Sequence, residues 1–140
     1  MVEFVLLMFL FVGTIGGGLA YLMAEHARSV VIQAAYAAAR TASIECGAGN
    51  PNAWTDSVLA AETALQDGRL QLVTNQDPST TNQPGAWWVS GGCQNGVAAV
   101  TVSYNQLNLF PVLGPMLVAG VASGWSFYLT SGMQLPVEGA

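Results

Sequence analysis

The chain has no lysine, one histidine (His26), and only Arg28, Arg40 and Arg69 as strong cations. Eight Asp and Glu leave a net charge of −5. There is no basic footprint with which to hold a phosphate backbone, which excludes nucleic-acid binding. Two cysteines, one histidine and scattered acids offer no metal-ligand spacing, so neither a metal nor any other cofactor is expected. No Asn-x-Ser/Thr acceptor occurs, although Ser79, Thr80 and Thr81 leave O-linked sugars open. Catalytic constellations are missing too. His26 has no Ser or Cys nucleophile motif near it, and Gly16-Gly17-Gly18 lacks the strand-then-helix context of a phosphate loop. An enzyme is not expected, and His26 reads as an interfacial or subunit-contact residue.

Charge of either sign is scarce. Charged residues make up 8% of the chain against 52% hydrophobic, too little charge for a soluble monomer and suited to a subunit covered by neighbours. What the chain does have is an uncharged apolar run, Phe4 to Ala24, bracketed by Glu3 and by Glu25, His26 and Arg28. As a helix it measures about 32 Å, enough to cross a bilayer. Glu3 stands at its head with no basic side chain before it. A carboxylate left unpaired in hydrocarbon costs several kcal/mol, roughly, or becomes neutral, so Glu3 demands a cation, and the amine of Met1 is the one at hand. The first basic residue follows the span, opposite to ordinary insertion for a body outside the cell. A basic leader ahead of Met1, since removed, reconciles the two. The competing reading is a secretory signal cleaved after Gly18-Leu19-Ala20, which lacks a basic n-region.

Beyond the run, Tyr21, Met23, Ala27, Val30, Val31, Ala34, Ala35, Ala38 and Ala42 keep helical spacing, predicting one helix over residues 1–45. Its alanines give a smooth surface suited to close packing in a bundle. Glu25 and Arg28, three apart, can pair. Gly13, Gly16, Gly17 and Gly18 each cost about 1 kcal/mol relative to Ala inside a helix. Either Gly13-x-x-x-Gly17 is a notch for a neighbouring helix, or the glycines mark a point that unwinds when the helix leaves lipid.

Residues 46–140 predict a small body, making the fold class α+β: a long hydrophobic N-terminal helix followed by a short helix and a small antiparallel sheet. Gly47 to Pro51 is a turn, residues 52–67 an amphipathic helix stopped by Gly68, residues 69–75 a strand, and residues 76–85 an exposed loop. Trp87-Trp88-Val89 and Val97–Tyr104 predict strands joined by a turn at Gly91-Gly92, completing an antiparallel meander covered by the two helices. Leu107–Ala122 reads as a turn and short helix, and residues 125–130 and 133–137 as the final strand. Cys46 and Cys93, both at loop-like positions, permit one disulfide; two separate buried thiols are the alternative.

The segment Val2-Glu3-Phe4-Val5-Leu6-Leu7, the apolar run after it, and Ala38-Ala39-Arg40-Thr41-Ala42 resemble the TadE-like proteins of the tight-adherence branch of type IV pilins and pseudopilins. Val100–Tyr104, Phe110-Pro111 and Leu129–Met133 are similar to the closing segments of that family. Residues 47–95 carry no such likeness. The acid stands third here, where the usual pilin pattern has it fifth. The resemblance implies a precursor cut by a processing peptidase, held in the cytoplasmic membrane, and drawn by inner-membrane assembly machinery into a homo-oligomeric helical filament at the cell surface. It also implies that Glu3 pairs with the terminal amine of an adjacent subunit. Met1, Glu3, Phe4, the four glycines, Glu25, Arg28 and Arg40 are therefore the candidate assembly residues. A minor pseudopilin that primes or tips a filament, and a membrane-anchored surface-binding domain, are the alternatives.

Overall fold

The computed structural model describes residues 2–107 and 126–138. Two helices and four strands follow in the order α1 (Val2–Gly47), α2 (Ala53–Asp67), β1 (Thr74–Asn75), β2 (Ala86–Gln94), β3 (Val97–Leu107) and β4 (Ser126–Pro136). This is the α+β architecture expected from the sequence, a long apolar helix leading into a short helix and a small sheet.

α1 is a single unbroken helix through Gly13 and Gly16 to Gly18, and it closes two residues later than expected. Its two halves differ in what surrounds them. From Ala24 onward, Ala27, Val31, Ala34, Ala38 and Ala42 recur at three- and four-residue steps and are buried, joined by Val30, Ala35 and Ala39. The smooth alanine surface thus packs inside the chain's own body, rather than standing free for a bundle. Small side chains let α2 and the sheet approach the α1 backbone closely, the same property that had suggested a bundle.

α2 lies along α1, with Ala61 and Leu65 in the shared core. The connection is held by Asn50, whose Oδ1 accepts the Asn52 amide at 2.9 Å while its Nδ2 donates to Glu45. At the other end of α2, His26 Nε2 donates to the Gly68 carbonyl at 3.0 Å. A Cβ built on Gly68 would fall inside the Val30 methyls, so here glycine is required by close approach to α1. Gly68→Ala should destabilise the body by about 1–3 kcal/mol, as overpacking against a stiff β-branched neighbour does. Urea unfolding followed by tryptophan fluorescence measures this, and an unchanged midpoint would show that α2 can shift without cost.

The sheet order is β1-β2-β3-β4. β2, β3 and β4 are antiparallel neighbours, and Ala98, Val100, Val102 and Tyr104 of β3 turn inward beneath α1 with Trp87 and Val89 of β2. The Trp87–Tyr104 and Val89–Val102 pairs face each other across the strands. Tyr104 donates its hydroxyl to the Gln71 carbonyl at 3.1 Å, and burial pushes its phenol pKa up. α1 supplies most of the cover expected from two helices, since it packs along β3 and β4 while α2 meets the sheet mainly at β2.

Several details differ from the sequence reading. The strand expected over residues 69–75 is only Thr74–Asn75, and it pairs with β2 in parallel, so the sheet is mixed and not a plain meander. Gly91 and Gly92 lie within β2; the β2–β3 turn is Asn95-Gly96, both at positive φ (52° and 75°), as a two-residue hairpin of this handedness requires. Gly91 answers a different need, because at its φ of 137° a Cβ would strike the Ala99 carbonyl across the strand. The last strand is one piece, continuous through Gly132. Residues 76–84 are pinned to the sheet: Asn105 Nδ2 donates to the Thr81 and Gln83 carbonyls, and Ser126 Oγ to that of Asn82. The helix expected within 107–122 lies outside the described residues, apart from Leu107, which ends β3.

Candidate assembly helix

The first half of α1 stands outside the body. From Val2 to Leu22 nearly every large apolar side chain is exposed, with Phe4 at 67% and Phe9 at 79%. The stretch Val2–Met23 spans about 33 Å at 1.5 Å per residue, matching a hydrocarbon layer of about 30 Å. α1 is long and apolar enough to cross a membrane. Of its two hydroxyls, that of Thr14 is satisfied within the helix, Oγ1 donating to the Leu10 and Phe11 carbonyls at 2.9 and 3.0 Å, and that of Tyr21 lies near the end of this half next to the body. Apart from Thr14, the side-chain polar groups of this segment are Glu3 at one end and the Tyr21 hydroxyl at the other. Glu3 sits in the first turn, where the free amides and the positive end of the helix dipole favour a carboxylate.

The expected assembly residues fall into separate places along this helix. Met1 lies outside the described residues. Glu3 and Phe4 are at the far tip, exposed. Gly16 is buried and Gly17 half-buried, while a Cβ at Gly13 or Gly18 would meet nothing within 4 Å. Glu25 and Arg28 form an ion pair at 4.0 Å where the exposed half meets the body, exposed enough to contribute under about 1 kcal/mol. Arg40 is exposed on the outer side of the second half. Among the described ones of these residues, the structure brings together Glu25 with Arg28 and Cys46 with Cys93.

The Cys46–Cys93 bond is present, with Cα atoms 6.6 Å apart. Neither cysteine is in a loop as expected: Cys46 is in the last turn of α1 and Cys93 in β2, so the bond fastens the end of the long helix to the sheet. Ser43 Oγ donates to the Pro136 carbonyl, and the Glu138 amide donates to the Ser43 carbonyl, closing the same end from the β4 side.

Sequence reasoning missed a stripe on α1. Ile32, Tyr36 and Ile44 are exposed on one side of the second half, with Arg40 between them at the same four-residue step. The i, i+4 spacing carried the signal, hidden by the alanines around it.

Comparisons with protein-family models, with curated proteins and with solved structures return no match.

Gly13 separates a packing notch from a merely tolerated glycine. In the isolated chain Gly13→Leu meets open space and should raise helix stability by about 1 kcal/mol. If a neighbouring helix uses that notch, the same variant should assemble poorly. Circular dichroism in detergent and the yield of assembled material check the two halves, and normal assembly would show that the glycine is incidental.

Proposed function

We propose that the chain is a structural subunit, a pilin, of an extracellular type IV or Tad-like filament, assembled through its N-terminal hydrophobic helix. The observation that carries this reading is the division of α1. One half is apolar on all sides and uncovered, the other is built into the core of a disulfide-fastened body. An apolar helix of that length needs lipid or other helices around it, and a filament core offers the second when the first is left behind. Because α1 is unbroken, displacing its exposed half would carry the body with it. The Ile32, Tyr36 and Ile44 stripe extends the apolar surface past the membrane segment, where a neighbouring helix would lie.

In this reading the chain is held in the cytoplasmic membrane by residues 2–23, with processing peptidase and inner-membrane assembly machinery as its partners. It then joins copies of itself in a helical polymer at the cell surface.

Electron microscopy of material sheared from producing cells, with mass spectrometry of the same fraction, tests it. Filaments composed mainly of this chain are expected. Trace amounts in a filament of another subunit would assign a minor, priming or tip role. Retention in the membrane fraction after shearing would leave a membrane-anchored surface domain.

A further inference from the structure

The helix pair of the body shows two outward surfaces of opposite character. On α1, Ile32, Tyr36, Arg40 and Ile44 follow one another at four-residue steps and are all exposed, Tyr36 by 47%. Beside them an open groove of about 450 Å³ runs between the helices, lined by Ala37 of α1 and by Leu59, Ala60, Thr63 and Ala64 of α2, with Asp56 and Asp67 at its two ends. Leu59 is 59% exposed on its lip.

Charge is divided between the same two surfaces. α2 carries Asp56, Glu62 and Asp67 and no basic residue, so nothing within it offsets these acids. On α1, Arg28 is paired with Glu25 at 4.0 Å and Glu45 accepts from the Asn50 carboxamide, while Arg40 has no carboxylate within ion-pair reach among the described residues. One surface is thus apolar with a cation at its centre, and the other is apolar with acids along it.

Their levels agree as well. The helices run antiparallel, joined by the turn at residues 48–52 and closed at the other end by Val30 against Gly68. Arg40, ten residues beyond Val30, is therefore level with Val58, ten before Gly68. Along the axis that is about 3 Å from Asp56 and about 6 Å from Glu62. Copies that enter a bilayer through the same apolar segment stand at one depth. Side by side, the Arg40 of one copy then meets these acids of the next with no axial shift.

We propose that copies of this chain associate laterally in the membrane through this contact: the Ile32, Tyr36 and Ile44 stripe of one copy lies against Leu59 and the groove of its neighbour, and Arg40 pairs with Asp56 or Glu62. Stripe and groove are different surfaces, so a pair of copies keeps one of each unused and the contact propagates instead of closing on a dimer. The inference rests on α1 spanning a membrane and not on the filament reading.

The absence of lysine makes the contact directly readable. Arg40→Lys keeps the cation and supplies the one side-chain amine of the chain. The full chain carrying it, mixed from isotopically heavy and light preparations, is reconstituted in phosphatidylcholine vesicles, which bring neither amine nor carboxylate. A carbodiimide then joins an amine to a carboxylate in direct contact with it, with loss of water. A ladder of covalent oligomers is expected, with mixed-isotope peptides linking position 40 to Asp56 or Glu62. The parent chain, with only its terminal amine to react, should give about tenfold less. Leu59→Ser, at an exposed position, should lower the Arg40→Lys yield about tenfold, since it removes the apolar anchor and leaves every charge in place. The proposal is overturned if Arg40→Lys gives no more oligomer than the parent, if position 40 is joined only within its own chain or to carboxylates other than these two, or if Leu59→Ser leaves the yield unchanged. Sheared filaments of this chain without such a link would refute the contact and leave the filament reading standing; the link without filaments would do the reverse.

Discussion

Replacing Cys46 and Cys93 by serine and alanine should lower the stability of the body by about 4 kcal/mol, the chain-entropy value for a closed loop of this length. The bond joins residues 47 apart and is the only covalent link between the end of α1 and the sheet. Without it, the unfolded chain recovers the freedom of everything from the Gly47 turn through α2, β1 and most of β2. A loss of this size should lower the melting temperature by about 15 °C in a body of roughly this size. Near-ultraviolet circular dichroism follows the change well, because Trp87 is buried against α1 and the sheet. The exposed apolar half of α1 contributes no tryptophan, so it does not obscure the transition. A shift below about 1 kcal/mol would mean that the unfolded body already holds these ends together. The bond also ties folding to compartment, since disulfides persist where the surroundings are oxidising.

The same end of the molecule shows what could be read from sequence and what could not. One pairing was possible between two cysteines, so the bond was foreseeable. Its setting was not, because Cys46 is followed by a glycine-rich stretch that hides the last helical turn. Gly91-Gly92 and Asn95-Gly96 both offered turns a few residues apart. Only the second lies where Gln94 and Val97 pair, and its two residues adopt the positive φ that Asn and Gly tolerate. Gly91 is glycine because the Ala99 carbonyl leaves no room for a Cβ, a cross-strand fact without local trace. The parallel pairing of β1 is equally non-local, being two residues long and set by the path of residues 76–84.

Helix α1 was legible in both halves, for the apolar run and the alanine spacing each give a helical pattern. What those alanines face was not. Small side chains signal close approach without naming the partner, and the partners turned out to be α2 and the sheet. The surface that the proposed assembly would use therefore contracts to the exposed first half and the Ile32, Tyr36 and Ile44 side.

Replacing Glu3 by alanine should leave the chain inserted in the membrane and its body folded, yet cut incorporation into filaments by about tenfold or more. Glu3 is 21 residues before Ala24, where the buried alanine stripe begins, so no packed contact of the body depends on it. At the membrane edge the carboxylate can reach water and the first-turn amides of α1. Within a filament core it would be surrounded by apolar helices, where an unpaired charge costs several kcal/mol, roughly, and pairing with a neighbour's terminal amine removes that cost at one register only. Alanine abolishes the penalty along with the register, so the expected defect is in joining and not in insertion. Glu3→Gln sharpens the comparison, because it keeps the shape and hydrogen-bonding capacity and removes the charge. If it assembles as poorly as alanine, charge pairing is the operative contact; if it assembles normally, hydrogen bonding suffices. Quantitative blotting of sheared and membrane fractions measures both variants, and a normal filament yield from Glu3→Ala would refute any role for this carboxylate in assembly.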